Sequence, residues 1–438
     1  MNLFIIIFLS IFCTIISYNE TVNFFSERVY LTSVFIQIFA ITQIFNDKYK
    51  NYSLYKIFYL FTFLFLGIAP IIQFYKKSTF FGAPRISEEW YFYTNIIIIL
   101  ICISYTLLYN LWLRYIKIKG FKFTKFNAPN ELSRRKSLML IVLSLLSFSA
   151  VFYSNNFSIV SMLVRGGSFK NAVDFQSTTV YLIIEQFLRP ISFLCLLFYF
   201  TIEKKNVLVM LSLLIIALVT CSPFGVPRFY AAAIYLPLLL LVFNFFRKKN
   251  VFSNTIIFGI LFIFPTLDYF RDFSNFSAVK FGFDFKMFDT GHFDSYQNFS
   301  LIVSHDEVTW GNQLLGVLFF WVPRAYWENK PVGSGTLIAN RLHFEFDNVS
   351  ANFFAEGYIN FGFLGIILFL LVISYVTAYG DKLYWNTIYK SKQSFIKIAY
   401  FISLGMLFFM LRGDLLSSFA FTIGFLLCFY MIFKLLKI

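Results

Sequence analysis

Residues 92–113 read FYTNIIIILICISYTLLYNLWL, a stretch of 22 residues without one charged side chain. About 20 mostly apolar residues in a helix span the hydrocarbon core of a bilayer, so this stretch predicts a membrane-spanning helix. The whole chain of 438 residues has the same character, with 59% hydrophobic and 13% charged residues. Soluble proteins contain about 25% charged residues. We therefore predict an all-α polytopic membrane protein.

Eleven further apolar stretches accompany residues 92–113, and no internal repeat relates them. Together they predict about 12 transmembrane helices, at residues 3–17, 28–45, 54–74, 92–113, 137–153, 179–201, 206–221, 229–246, 252–267, 353–378, 396–411 and 415–434. The first stretch lacks the charged start and the small-residue cleavage site of a signal peptide, so we interpret it as a span. We interpret residues 1–438 as a single membrane domain.

Lysine and arginine fall on opposite sides of these predicted spans. Eighteen of the 24 lysines lie in one alternate set of loops, whereas nine of the 13 arginines lie in the other set or at helix ends that face it. Basic loops stay in the cytoplasm, so the lysines predict that both termini are cytoplasmic. Arginine binds phosphate and carboxylate groups bidentately, which suggests that the outer face binds an anion.

One outer loop is much longer than the others. Residues 268–352 separate the ninth and tenth predicted spans, and they are rich in aromatic residues, which argues against disorder. Within this loop, Gln313 to Val322 is apolar but too short to span a bilayer. We predict a large periplasmic loop, embedded in the membrane domain, with short or re-entrant helices.

Several classes of function are excluded by the sequence pattern. The net charge of +15 arises from the cytoplasmic loops rather than from a basic soluble domain, which excludes nucleic-acid binding. The large loop contains no cysteine, and its three histidines lack the spacing of a zinc site, so we predict no metal and no cofactor. Motifs for nucleotide binding, for zinc proteases and for serine hydrolases are absent.

The remaining chemical signal is a set of arginines at the predicted outer face. Each one could simply snorkel or pair with a carboxylate, but lysine would snorkel equally well and is scarce on this side. The set consists of Arg165, Arg228, Arg271, Arg324, Arg341 and Arg412. A further pair, Glu185 and Arg189, shares one helix face inside an apolar run, and it fits a structural ion pair as well as a substrate site.

Two segments give the chain a family resemblance. Val322-Pro-Arg-Ala-Tyr-Trp-Glu-Asn-Lys-Pro331 resembles the Pro-Arg-x-x-Trp-x-x-Lys-Pro signature of Wzy-type O-antigen and oligosaccharide repeat-unit polymerases. Asn352-Phe-Phe-Ala-Glu-Gly-Tyr-Ile-Asn-Phe-Gly362 resembles the part of that family that follows the large outer loop. The architecture fits the family over the whole chain, whereas the sharper motifs cover about residues 322–365.

The resemblance implies an enzyme, a metal-independent glycosyltransferase of the bacterial cytoplasmic membrane with its active site on the periplasmic face. It would transfer glycan from one undecaprenyl-diphosphate carrier to another lipid-linked repeat unit, making O-antigen or capsular polysaccharide. Membrane lipid and a chain-length regulator protein would be its partners. Preorganised arginines would stabilise the diphosphate leaving group, and a general base would activate the acceptor hydroxyl.

We assign residue roles on this basis. The diphosphate and acidic sugars would contact Arg165, Arg228, Arg271, Arg324 and Arg341, and Lys330, Trp327 and Arg412 would complete the binding site. The base would be Glu356 or His343, although Glu356 equally suits a helix N-terminus, where a negative charge is favourable.

Two rival functions remain open. An O-antigen-type ligase would share the topology and the arginines. A lipid-linked oligosaccharide flippase, or another transporter, would explain Glu185 and Arg189, but transporters usually have short loops and internal repeats.

Overall fold

The computed structural model describes residues 26–118, 129–164, 180, 183–263, 285–388 and 394–436. Regular structure within these ranges is helical, and strand-like pairing there is limited to one isolated bridge between Glu131 and Lys204. Six of the described helices are long and apolar enough to cross a membrane: Leu54–Lys76, Glu88–Tyr115, Arg134–Ser154, Phe353–Asn386, Phe395–Arg412 and Leu415–Leu435. The all-helical prediction is therefore confirmed for the described residues.

We number the α-helices in chain order. They are α1 (Glu27–Ile44), α2 (Leu54–Lys76), α3 (Glu88–Tyr115), α4 (Arg134–Ser154), α5 (Ile159–Leu163), α6 (Arg189–Phe200), α7 (Val207–Thr220), α8 (Arg228–Val242), α9 (Val251–Phe258), α10 (Ser295–Ser304), α11 (Asn312–Leu318), α12 (Ser334–Arg341), α13 (Phe353–Ile388), α14 (Ser394–Arg412) and α15 (Leu415–Leu435). Turns of π-helix interrupt α2 at Thr62–Ile68, precede α6 at Ile184–Leu188 and extend α9 at Gly259–Ile263.

The predicted spans correspond to helices, but not all of those helices are long enough to cross a bilayer. The first predicted span, 3–17, lies outside the described residues, and a described helix overlaps each of the other eleven segments. Three apolar helices are shorter, at Val207–Thr220, Phe229–Val242 and Val251–Phe262. The count of 12 spans, the position of the termini and the direction of each face stay predictions.

Helix starts follow a simple local rule, because many are preceded by a small polar residue that accepts a hydrogen bond from the first turn. This side chain satisfies a backbone N–H that has no partner within the helix. The residues concerned are Ser26, Ser53, Ser87, Ser133, Ser158, Asn206 and Asp414.

Helix α13 corrects the prediction of one continuous span over 353–378. Phe361 and Gly362 have non-helical backbone angles, with φ 60° and ψ −143° at Gly362, a conformation that favours glycine. The two halves then fold against each other, since a Cβ atom on Gly365 would lie 1.8 Å from the carbonyl oxygen of Gly357. Residues 353–360 therefore form a short helix that turns back into the long helix 363–388.

Short helices fill the described part of the large loop, 285–352, as predicted. Helices α10, α11 and α12 lie there, together with two 3₁₀ turns at Phe285–Phe288 and Gly291–Phe293. Buried hydrogen bonds hold α10 against α3, since Tyr296 Oη donates to Asn95 Oδ1 at 2.8 Å and Thr94 Oγ1 to Ser300 Oγ at 3.0 Å. The loop is thus packed into the helical bundle.

The two ends of the bundle carry different polar groups. We call the end with Tyr109 and Asp381 the inner end, and the end with Glu356, Arg412 and Asp414 the outer end, following the orientation that the lysines predict. At the inner end, the carboxylate of Asp381 is 3% exposed and accepts four hydrogen bonds. The donors are Leu54 N (2.8 Å), Tyr55 N (3.2 Å), Tyr109 Oη (2.6 Å) and Tyr400 Oη (2.5 Å).

Candidate functional site

Three of the predicted site residues are described only in part or not at all. Arg165 and Arg271 lie outside the described residues. Arg228 begins α8, directly after Pro227, but its side chain lies outside the description as well. The site is therefore built from the other predicted residues and from the groups that contact them.

Glu356 lies at the centre of the outer end. It belongs to the short helix 353–360 and is only 1% exposed. Its Oε2 accepts a hydrogen bond from Ser334 Oγ at 2.7 Å, and its Oε1 accepts one from Leu415 N at 2.9 Å. Glu356 thus joins the first residue of α12 to the first residue of α15.

Asp414 provides a second carboxylate between the same two helices. Its Oδ1 accepts hydrogen bonds from Leu416 N (2.9 Å) and Ser417 N (3.4 Å) and so caps α15, while its Oδ2 accepts one from Gly335 N at 3.1 Å. Burial raises the pKa of the Asp414 carboxyl group above its usual range. Glu356 and Asp414 are also close enough to repel each other electrostatically.

Glycine is required where α12 approaches this acid pair. A Cβ atom on Gly333 would lie 2.4 Å from Asp414 Oδ2, and one on Gly335 would lie 2.0 Å from the carbonyl oxygen of Val349. The sequence Gly-Ser-Gly at 333–335 therefore lets two helix N-termini meet at two carboxylates. The partial positive charge at helix N-termini favours anions, which explains how two acids can be buried together.

Arg412 is the predicted arginine that the structure brings to this end of the bundle in a largely buried position. Its Nη2 donates to Asp294 Oδ1 at 3.3 Å and to the carbonyl oxygen of His292 at 3.1 Å, and its side chain is 18% exposed. The guanidinium group lies 4.7 Å from the ring centroid of Phe229. Its Nε is buried and has no hydrogen-bond partner among the described residues.

Asp294 holds Arg412 while it also organises the loop. It accepts hydrogen bonds from Ser350 N (3.0 Å), Ser350 Oγ (2.5 Å) and Asn298 Nδ2 (3.2 Å). Asn352, two residues after Ser350, caps the short helix that contains Glu356, because its side chain accepts hydrogen bonds from Phe354 N and Ala355 N. We call Asp294, Ser334, Glu356, Arg412 and Asp414 the outer acid site.

The Pro-Arg-x-x-Trp-x-x-Lys-Pro segment forms a compact turn in which both basic residues bind backbone. Arg324 Nη1 donates to the carbonyl oxygen of Lys330 at 2.7 Å, and Lys330 Nζ donates to those of Phe320 (2.6 Å) and Val322 (2.9 Å). Trp327 is half-buried, and its backbone N–H donates to Pro323 O at 3.2 Å, which closes the turn.

Two further predicted residues lie at the surface. Arg341, at the end of α12, forms an ion pair with Glu307, and its side chain is 43% exposed. His343 is exposed, with φ 57°. The two predicted bases therefore differ in exposure. Glu356 is buried and both of its carboxylate oxygens accept hydrogen bonds, whereas His343 is exposed at the protein surface.

Glu185 and Arg189 contact each other at 2.6 Å, which is one of the two arrangements that their shared helix face allows. The pair lies where π-helix passes into α6, and Arg189 Nη1 also donates to the carbonyl oxygen of Thr220 at 3.2 Å. Arg189 is 5% exposed. Its contacts connect α6 to α7, and its Nε has no hydrogen-bond partner among the described residues.

Asp294, Ser334 and Asp414 were missed by sequence reasoning. Asp414 precedes an apolar run, which is the position of a helix N-cap, and Asp294 precedes Ser295 at the start of α10. These signals identify helix starts, but not the partners of the carboxylates. Asp294 and Arg412 are 118 residues apart in the chain, so only the tertiary fold brings them together.

Comparisons with known proteins found no matching family model, no matching curated protein and no matching solved structure. Within the described residues, no group of three or more histidine, cysteine, aspartate or glutamate side chains could hold a metal ion.

Proposed function

We propose that this protein is a polymerase that joins undecaprenyl-diphosphate-linked oligosaccharide repeat units on the outer face of a bacterial cytoplasmic membrane. One contact carries the proposal. Of the two segments that resemble the Wzy-type family, 322–331 and 352–362, the second is hydrogen-bonded at 2.7 Å, through Glu356, to Ser334, which follows the first. Ser334 lies three residues after the first segment, and Glu356 lies within the second.

Arg412 is the arginine that we assign to the diphosphate leaving group. Asp294 and the His292 carbonyl oxygen fix one edge of its guanidinium group, and the Phe229 ring covers one face. A cation held in this way needs no reorganisation when negative charge develops on the leaving group. Arg228, the neighbour of Phe229 in the chain, and Arg341 are the further arginines that we place at the glycan or the diphosphate.

His343 is our assignment for the base. An acceptor hydroxyl must come within hydrogen-bond distance of the base, and His343 is exposed, whereas Glu356 is 1% exposed. In this proposal the acid pair has a positioning role, in which Glu356 and Asp414 hold the start of α12 and the start of α15 beside Arg412. A chain-length regulator protein would act from outside this site.

A purified protein can test the proposal. In detergent, with undecaprenyl-diphosphate-linked repeat units and no proton gradient, the protein should produce long glycan chains. Arg412→Lys keeps the charge but loses the planar fork of donors, so we expect at least a tenfold lower yield of polymer. Arg28→Lys is the matched control, because Arg28 pairs with Glu88 at the surface of the same end and should leave the yield unchanged.

The outcomes also separate the rival functions. Normal polymer from Arg412→Lys protein of normal abundance would overturn the role of Arg412. Formation of polymer without a gradient would exclude a transporter. In cells, deletion of a polymerase leaves single repeat units attached to the final acceptor, whereas deletion of a ligase leaves none.

A further inference from the structure

The outer loop presents an unusually apolar surface around α11. Residues 308–323 contain no charged side chain over 16 positions. Several large apolar side chains in and beside this stretch are strongly exposed, with Leu315 and Leu318 at 47%, Phe319 at 44%, Trp321 at 60% and Trp310 at 81%. In water, a patch of this kind would be unfavourable.

Similar exposure is also found on helices long enough to cross a membrane. Leu107 of α3 is 66% exposed and Leu146 of α4 is 62% exposed. Such side chains face lipid when the helix crosses a bilayer. The surface of α11 has the same character, but it belongs to a helix of seven residues that is too short to cross.

The backbone after α11 is satisfied in a way that suits a bilayer rather than water. Lys330 Nζ donates to the carbonyl oxygens of Phe320 and Val322, and Arg324 donates to those of Lys330 (2.7 Å) and Pro331 (3.4 Å). Water would hydrate these carbonyl groups without help. Within a membrane, non-helical backbone needs partners from the protein itself, because the hydrocarbon supplies none.

The same region is anchored to the bundle by aromatic contacts. The Phe320 ring lies 6.4 Å from that of Phe187, just before α6, and 6.3 Å from that of Phe419 on α15, measured between centroids. Phe320 thus points towards the bundle, whereas Phe319 and Trp321 on either side of it are exposed. Burial, and then the charge of Arg324, lower the pKa of Lys330, which fits a partly desolvated ammonium group.

We propose that residues 312–331 form a wedge at the outer leaflet, with the Leu315, Leu318, Phe319 and Trp321 side chains among the lipid acyl chains and the turn around Glu328 facing water. Arg324 and Lys330 donate hydrogen bonds to its backbone carbonyl oxygens. Tyr326, 87% exposed, lies at headgroup level, where tyrosine and tryptophan are enriched. The partner of this surface is membrane lipid.

Fluorescent labels on single cysteines can locate the wedge in liposomes. Replacing Cys13 by serine leaves Cys102, Cys195, Cys221 and Cys428, which are buried. Labels are then placed at Leu318→Cys and, as the matched control, at Glu328→Cys, which lies on the exposed part of the turn. We expect a lipid-borne nitroxide to quench the label at 318 at least fivefold more strongly than aqueous iodide does, and the reverse at 328.

Trp321→Cys reports on the same surface and should behave like Leu318→Cys, which guards against one misfolded variant. In addition, Lys330→Met removes the donors to Phe320 and Val322, so iodide quenching at 318 should rise severalfold. Equal iodide quenching at 318 and 328 would place the wedge in water and overturn the proposal. Protection at 318 from both quenchers would mean that protein covers the surface, which would also overturn it.

Discussion

A buried carboxylate receives hydrogen bonds from the start of a helix at both ends of the molecule, but the two ends differ in how much charge they hold. At the inner end, Asp381 alone receives four donors, two of them phenol groups. At the outer end, Glu356 and Asp414 lie together between α12 and α15, with Arg412 and Asp294 nearby. The inner end thus holds one carboxylate with four donors, whereas the outer end brings three acids and one arginine together.

The comparison is tested most strongly by removing the inner acceptor. Asp381→Ala leaves four buried donors without a partner, so we expect the free energy of unfolding in detergent to fall by about 3 kcal/mol or more. Asp47→Ala is the control, because its carboxylate is 60% exposed where it pairs with Lys249, and it should cost less than about 1 kcal/mol. Equal effects of the two substitutions would show that the inner joint contributes nothing special.

At the outer end, the close approach of α12 gives the next largest effect. Gly335→Ala places a Cβ atom 2.0 Å from the Val349 carbonyl oxygen, so the backbone must shift, and we expect a loss of about 2 kcal/mol. Gly259→Ala is the control, since nothing lies within 4 Å of the added carbon. Thermal unfolding of both variants checks this. A Gly335→Ala protein as stable as the Gly259→Ala protein would contradict the described packing.

The charge at the outer end should appear as a pH dependence of stability. Burial raises the folded-state pKa of Asp414 above its ordinary value of 3.8, so its contribution is complete below that value and is lost as the pH rises through the folded pKa. In Asp414→Asn the side chain cannot titrate, and an amide NH₂ group in place of Oδ2 can no longer accept the hydrogen bond from Gly335 N. We expect its stability to fall less with rising pH than that of the unchanged protein.

The pH dependence of the free energy of unfolding needs a control for the loss of any carboxylate. Asp47→Asn removes an exposed carboxylate and should leave the slope of the unchanged protein intact. The measurement is the free energy of unfolding from about pH 4 upwards. If its pH dependence is the same in Asp414→Asn as in the unchanged protein, Asp414 is not the titrating group.

The smallest effect is expected at the surface of the outer end. Arg28 Nε lies 2.8 Å from Glu88 Oε1, but the two side chains are 50% and 34% exposed, so solvent screens the pair. Arg28→Ala should therefore change the free energy of unfolding by about 0.5 kcal/mol or less. A loss comparable to that of Gly335→Ala would mean that the whole outer end is sensitive, and not the acid site in particular.

The sequence predicts the helices well because lipid demands long apolar stretches, which are visible residue by residue. The break at Phe361 and Gly362 was missed, since it lies within an apolar run and depends on one backbone conformation. Three glycines mark this break. Gly357 and Gly365 permit the close contact of the two half-helices, and Gly362 permits the turn between them.

The site was predictable only where one residue type carries the chemistry. Arg412 and Glu356 stand out as charges at the ends of apolar runs, and the structure brings both to the outer end. Their partners depend on contacts between distant segments, such as Asp294 with Arg412. Arg324 and Lys330 show the opposite limit, because a basic residue beside an aromatic one looks the same whether it binds phosphate or its own backbone carbonyls.

The hydrogen bond from Leu415 N to Glu356 has a consequence for biogenesis. Ser334 and Glu356 leave the ribosome well before Arg412, Asp414 and Leu415, so the outer acid site stays incomplete until the last two helices have been made. Until then, the Glu356 carboxylate and Asp294 lack donors that they have in the finished fold. A chain that stops short of residue 412 would keep the hydrogen bonds of Asp294 to Ser350 and of Glu356 to Ser334, but it would lack the ion pair with Arg412 and the N–H of Leu415.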